Sequence, residues 1–281
     1  GLGDVYKRQG LIVIMSVLLV SCKGKTGNTI TVGSDKLDNT QSYFSESMHK
    51  AARCDSGYYY LDKCGASADN LMFYDDKSEE SIVLCNKPQC GHDGEECMAY
   101  ISGSEFKSEL YYYNSYIYMI SSKGNLVQIS ADGTQRTDLG SICVLSGQDS
   151  VSMCFNDGYA YVSQEITGDI EGNVTVRLYR FNLDTGSSNK IYEETGYGIG
   201  INSLKTYGSD TFFLKTSVSK DDKGLYSLEG KGIFRITGED TECLLDKNVY
   251  SYCIDADNNK LYYSGLGDGT IYEYDLGLSL I

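Results

Sequence analysis

One unit recurs along the chain, and its recurrence restricts what the chain can fold into. Residues 260–276, KLYYSGLGDGTIYEYDL, read as two short strands around a Gly/Asp turn. Bulky β-formers flanking a Gly-rich turn are a hairpin signal. Five such hairpins can be aligned. Their first strands contain Tyr58-Tyr59-Tyr60, Tyr116-Ile117-Tyr118, Tyr159-Ala160-Tyr161, Phe212-Phe213 and Leu261-Tyr262-Tyr263. Their second strands contain Leu71-Met72-Phe73-Tyr74, Leu126-Val127-Gln128-Ile129, Leu178-Tyr179-Arg180-Phe181, Ile233-Phe234-Arg235-Ile236 and Ile271-Tyr272-Glu273-Tyr274. A further strand often follows the pair (residues 81–84, 136–139, 190–193 and 243–245), and another precedes it at 150–155 and 249–254.

Four short strands repeating every 43 to 58 residues are the period of a β-propeller blade. A sheet this small has two apolar faces and cannot bury both, so stacking copies around an axis hides each face against its neighbour. A β-solenoid has a shorter period, and an immunoglobulin-type array needs about 100 residues per unit. Composition agrees: 25 Tyr, 8 Phe and no Trp suit half-buried pleated surfaces with wet hydroxyls, and 31 Gly against a single Pro put the chain reversals on Gly, Asn and Asp. The expected fold is all-β, a β-propeller over residues 51–281. The chain ends just after the second strand of the fifth unit, which predicts about five blades of a truncated six- to eight-bladed ring.

The formal net charge of −15 repels nucleic acid, and no basic stripe offsets it. Residues 1–9, GLGDVYKRQ, lack an initiator Met and are expected to be a non-native leader. Residues 10–21, GLIVIMSVLLVS, are apolar but too short to span a bilayer, which takes about 20 residues; they have the length of a signal-peptide core. Residues 22–50 begin with Cys22 and continue as a polar tether, with a short helix expected over 42–52 that includes His49.

Leu19-Val20-Ser21-Cys22 resembles the bacterial lipobox. That resemblance implies cleavage before Cys22, lipidation of its thiol and an anchor on the outer face of the cell membrane, since two or three acyl chains exceed the threshold for stable attachment. The hairpin units resemble propellers of the YWTD, low-density-lipoprotein-receptor-like type: Tyr262-Tyr263-Ser264-Gly265 and Tyr161-Val162-Ser163 stand where that tetrapeptide would, and Ile129-Ser130-Ala131-Asp132-Gly133 resembles its downstream turn. They also resemble propeller lipoproteins of anaerobic Gram-positive bacteria. The pattern departs from YWTD in having no Trp and variable spacing, and the resemblance implies no catalytic residue.

Residues 84–98, LCNKPQCGHDGEECM, place Cys85, Cys90, His92 and Cys97 within one short stretch. Three thiolates and an imidazole make a complete tetrahedral set for structural zinc. The single residue between Cys90 and His92 makes joint ligation awkward, and disulfides pinning a loop are the alternative in an exported protein. The same cluster is similar to one in the anaerobe lipoproteins. Cys143 with Cys154, and Cys243 with Cys253, precede the third and fifth hairpins at similar separations, while the fourth hairpin has neither member; this pattern predicts disulfides between adjacent strands, against buried free thiols. Asp255-Ala256-Asp257-Asn258-Asn259 fails the EF-hand test, with Lys260 where Gly is required, and is expected to be a polar turn. No G-x-S-x-G, H-E-x-x-H or P-loop occurs. The expected function is a membrane-anchored interaction module for carbohydrate, peptide or a cell-surface protein. The alternative is a lyase or glycosidase with carboxylates converging in the axial funnel.

Overall fold

The computed structural model describes residues 51–277, apart from 104, 107–109, 169–171, 256, 266 and 268. The expected leader, signal segment, Cys22 and His49 lie outside the described residues. Within them the protein is all-β, in five antiparallel sheets that follow one another along the chain. Sheet 1 comprises β1 (Ala51–Cys54), β2 (Gly57–Lys63), β3 (Ala68–Asp75), β4 (Glu80–Val83) and β5 (Tyr100–Ser102), the last also pairing with β3. Sheet 2 is β6 (Tyr111–Tyr113), β7 (Tyr116–Ile120), β8 (Asn125–Ser130) and β9 (Arg136–Ser141). Sheet 3 is β10 (Ser150–Asn156), β11 (Tyr159–Thr167), β12 (Asn173–Asn182) and β13 (Ser188–Tyr197). Sheet 4 is β14 (Gly200–Tyr207), β15 (Asp210–Lys220), β16 (Tyr226–Thr237) and β17 (Asp240–Leu245), and sheet 5 is β18 (Val249–Asp255), β19 (Lys260–Gly265) and β20 (Ile271–Asp275).

Successive sheets meet through their first strands: β1 touches β6, β6 touches β10, β10 touches β14 and β14 touches β18. That is the arrangement of propeller blades, with first strands inside and fourth strands at the rim. The apolar cores lie between sheets, as the stacking argument requires. Tyr59, Phe73 and Leu84 of sheet 1 share one cluster with Ile117, Met119 and Ile129 of sheet 2. Alternation along β7 sends Tyr118 and Ile120 the other way, into a cluster with Phe155, Val162 and Phe181 of sheet 3. Val176 and Leu178 then meet Phe213 and Ile236 of sheet 4, and Phe212 and Ile233 meet Val249 and Leu261 of sheet 5. The second strands of sheets 2, 3 and 4 therefore pack on both faces, those of sheets 1 and 5 on one, and Tyr59, Ile117, Ala160, Phe212 and Leu261 are all 0% exposed.

The tyrosines explain themselves in this setting, and differently from the wet hydroxyls expected. Rings fill the cores while hydroxyls reach backbone groups of the next sheet. Tyr59 donates to the Ala131 carbonyl at 3.1 Å, and Tyr252 to that of Ser203 at 2.6 Å. The Tyr111 and Tyr113 hydroxyls accept from the amides of Met153 and Gly158, both at 3.2 Å. An indole could donate in the first way but not accept in the second.

The helix expected over 42–52 is overturned at its C-terminal end. Ala51 and Ala52 are strand residues opposite Tyr60 and Tyr59, because they complete the inner edge of sheet 1. Residues 257–259 form the polar turn expected there, with the Asn258 amide donating to Asp255 Oδ1 at 3.2 Å.

Sheets 4 and 5 touch backbone to backbone. A Cβ on Gly230 would stand 2.0 Å from the Val249 carbonyl oxygen and 2.4 Å from its nitrogen. Gly230→Ala is expected to force the two sheets apart at a cost of about 1–3 kcal/mol, the usual range for overpacking. A urea titration that leaves the midpoint unchanged would refute this close approach.

Candidate metal centre

The rim strand of sheet 1 is interrupted. β4 pairs with Met72 to Asp75 of β3, and β5 pairs with Ala68 to Asn70. Leu71, between them, serves both sides: its carbonyl accepts from the Leu84 amide at 2.8 Å, and its own amide donates to the Ala99 carbonyl at 2.7 Å. Leu84 and Ala99 thus divide between them the ladder position of a single strand residue. Residues 85–98 are an excursion whose two ends are neighbours, and the strand resumes in register after it.

This excursion carries Cys85, Cys90, His92 and Cys97, whose ligating atoms all lie within 4.8 Å of one another. Gln89 and His92 adopt left-handed backbone, with φ of 60° and 57°. These reversals on either side of Cys90 let Cys90 and His92 turn to a common point despite the single residue between them. His92 Nδ1 stands 3.3 Å from Cys97 Sγ. The amide of Cys97 donates to the Gly94 carbonyl at 2.9 Å, and that of Cys90 to the Lys87 carbonyl at 3.4 Å, so tight turns hold both thiols. Cys97 is buried in the core shared by sheets 1 and 2, while Cys85 and Cys90 pack against its edge.

Electrostatics within the cluster are uneven. Burial pushes the Cys97 thiol up to about 12, and its hydrogen bonds with Cys85 and Cys90 add to the rise. Burial acts the same way on Cys85, but backbone hydrogen bonds from Lys87 and Met98 and the thiols of Cys97 and Cys90 outweigh it and hold Cys85 below the usual thiol range. The donor set fits zinc. Bonds of about 2.0–2.3 Å in a tetrahedron put neighbouring ligands about 3.3–3.8 Å apart; His92 and Cys97 already stand at 3.3 Å, and no pair is beyond 4.8 Å. Four protein ligands would fill the coordination sphere, so such an ion would have a structural role.

The other predicted thiol pairs do not form: Cys143, Cys154, Cys243 and Cys253 are all free. Proximity in sequence misled here, because each pair brackets the passage from a rim strand to the next inner strand. Cys143 follows β9 and lies in the core between sheets 2 and 3, whereas Cys154 packs against the core on the opposite face of sheet 3. Cys243 is on the rim strand β17 opposite Phe234, and Cys253 on the inner strand β18 opposite Tyr262. Burial pushes the Cys143 thiol up to about 11.

Among the described residues, the Cys/His cluster is the one group of three or more His, Cys, Asp and Glu placed to hold a metal. Two carboxylates near the inner strands, Asp149 and Glu165, serve structural donors. Asp149 accepts from the Ser146 amide at 3.0 Å and from Gln164 Nε2 at 2.7 Å; Glu165 accepts from the Ile201 amide at 3.1 Å.

Fold and site together define an all-β propeller with a Cys3His cluster on a rim strand. No protein-family model and no curated protein matches the chain. Among solved structures it is similar to an oligogalacturonate lyase in complex with manganese, at 11% identity and a TM-score of 0.42, covering 73% of this chain and 53% of that one. An oligogalacturonate lyase from Vibrio parahaemolyticus gives 6% identity and a TM-score of 0.37 over 78% of this chain and 85% of that one. The quinohemoprotein alcohol dehydrogenase from Comamonas testosteroni gives 12% and 0.39, over 79% and 42%. The chain spans about half the length of the first of these. At such scores the likenesses decide nothing about activity, and the propeller assignment stands on sheet order and the cores between sheets.

Proposed function

We propose that this chain is a membrane-anchored, extracytoplasmic β-propeller acting as an interaction module, with a structural zinc ion stapling its first sheet. The supporting observation is the placement of the Cys/His cluster: a full set of four ligands on a rim-strand excursion, on the far side of the sheet from the inner strands. Cys85, Cys90 and Cys97 would hold the ion as thiolates and His92 through a ring nitrogen. The ion would supply cross-linking and no open coordination position. The lipobox resemblance around Cys22 and the likeness of the repeats to anaerobe propeller lipoproteins support the location.

The test uses the full chain produced in a bacterium that exports it. One zinc per chain, retained with and without a phosphine reductant, is the expected composition, together with incorporation of labelled palmitate that Cys22→Ser abolishes. Metal-free protein whose cluster thiols are oxidised would replace the zinc reading with disulfides. Palmitate labelling that survives Cys22→Ser would remove the anchor.

A further inference from the structure

The two ends of the propeller differ in chemistry. At one end lie the turns joining first to second and third to fourth strands, which are tight and polar. Asp75 accepts from the amides of Lys77 and Ser78, and Asn182 from those of Asp184 and Thr185. At the other end lie the turns joining second to third strands and the passages between sheets. Every large hydrophobic side chain that stands exposed among the described residues, from Val144 to Tyr272, belongs to this second end. Tyr197 and Tyr226 stack there at 6.0 Å, joining sheets 3 and 4.

Where sheet 4 meets sheet 5, lined from β14, β15, β16 and β18, is a cleft of about 360 Å3. Its wall includes Asn202, Ser203, Thr216 and Ser251 as polar groups, with Leu228 and the half-exposed ring of Tyr250 as apolar ones. No carboxylate, ammonium or guanidinium lines it. The polar wall is built by an irregularity. The β14–β15 register jumps between Asn202 and Lys205, and Ser203 takes a left-handed φ of 55°. Such bulges re-aim side chains next to binding sites. Asn202 donates to Thr216 Oγ1 at 3.1 Å, and Ser251 shares a bond with Ser264 at 2.9 Å. By its chemistry, each of these groups can make more than one hydrogen bond.

We infer that this cleft is a binding site for a neutral saccharide. An anionic ligand would meet no ammonium or guanidinium in the wall, which is costly, and Glu165, beside Asn202 and Thr216, already accepts from the Ile201 amide. A purely apolar ligand would leave the further hydrogen-bonding capacity of the amide and hydroxyls unused. A neutral sugar presents both features the wall asks for: a C–H face for Tyr250 and hydroxyls for the polar side. The volume lies at the small end of ligand sites, which run from about 300 to 1,000 Å3; it suits a sugar ring or two and not a folded partner. This assignment rests on the interaction-module reading and narrows it.

Titration calorimetry on the purified full chain tests it, with cellohexaose, xylohexaose and mannohexaose as neutral probes, hexagalacturonate as the acidic probe and a neutral peptide library as the third arm. The expected result is saturable binding of at least one neutral probe. Tyr250→Ala should weaken it at least tenfold, Tyr250→Phe should keep it within threefold, and Tyr272→Ala on sheet 5 should leave it unchanged. Because Tyr250 is 56% exposed, Tyr250→Ala should melt with the parent, which separates lost binding from lost fold. Binding of hexagalacturonate alone, of no probe, or of a neutral probe indifferent to Tyr250→Ala overturns the proposal. A peptide that alone binds and is lost in Tyr250→Ala also overturns it, while leaving the interaction-module reading in place.

Discussion

Cys97→Ser should abolish zinc retention and lower stability by about 3 kcal/mol, and a strong chelator applied to the parent protein should do the same. The magnitude follows from what such an ion would close. Residues 85–98 leave and rejoin the rim strand at the shared ladder position opposite Leu71. Without a cross-link, the unfolded chain gains the freedom of a loop of that length, worth about 3 kcal/mol for a closure of about 15 residues. The loss should stay well short of the roughly 10–16 kcal/mol seen when zinc is the whole core of a small domain, because Leu84, Ala99 and Ile101 remain buried against sheet 2. For a domain of this size it should appear as a fall of roughly 6–12 °C in melting temperature, at about 2–4 °C per kcal/mol. The chelator should have no further effect on Cys97→Ser. An additional fall in the variant would show that the ion sits elsewhere.

Tyr59→Ala should cost about 3–5 kcal/mol, the range for truncating a large buried aromatic, and Tyr59→Phe about 1 kcal/mol. Tyr59 has no exposed surface. Its ring lies 4.9 Å from Phe73 and stacks on Tyr112 at 5.4 Å, while its hydroxyl reaches the Ala131 carbonyl in the next sheet. The two substitutions separate the packing of the ring from the link between sheets, and denaturant midpoints at constant slope would measure both. Tyr59 and Cys97 belong to one core, so Tyr59→Ala combined with Cys97→Ser is expected to depart from additivity if that core transmits the change between them. Strict additivity would mean that the cluster is energetically detached from the core beneath it.

The hairpins are legible because the middle strands of sheets 2 to 4 pack on both sides and carry runs such as Tyr116-Ile117-Tyr118 and Leu126-Val127. It was nearly silent on three of the inner strands. β1 is the short AARC, β6 is a bare YYY, and β14 reads GINSLKTY with a bulge at Ser203 that breaks any alternation. These strands are held by pairing with a strong neighbour and need little apolar pattern of their own. The four members of the metal cluster were visible as residue types. What spacing could not show was their convergence, which depends on left-handed turns at Gln89 and His92 that few non-glycine residues adopt. Spacing misleads on the cysteine pairs for a topological reason: the strands on either side of a sheet boundary are the rim strand of one blade and the inner strand of the next, and they do not pair. The proposed saccharide cleft left no motif, since its wall is assembled from β14, β15, β16 and β18 by the meeting of two sheets.

Each apolar core here belongs to just two sheets, and this makes the architecture tolerant of editing. A duplication, loss or resizing of one unit has to be accommodated at two boundaries only, and the remaining contacts never register the change. The repeat lengths, between 43 and 58 residues, carry the mark of that freedom. The ligand-bearing detour in the first rim strand is what such freedom permits: a new feature spliced into a periphery where the ladder closes up behind it.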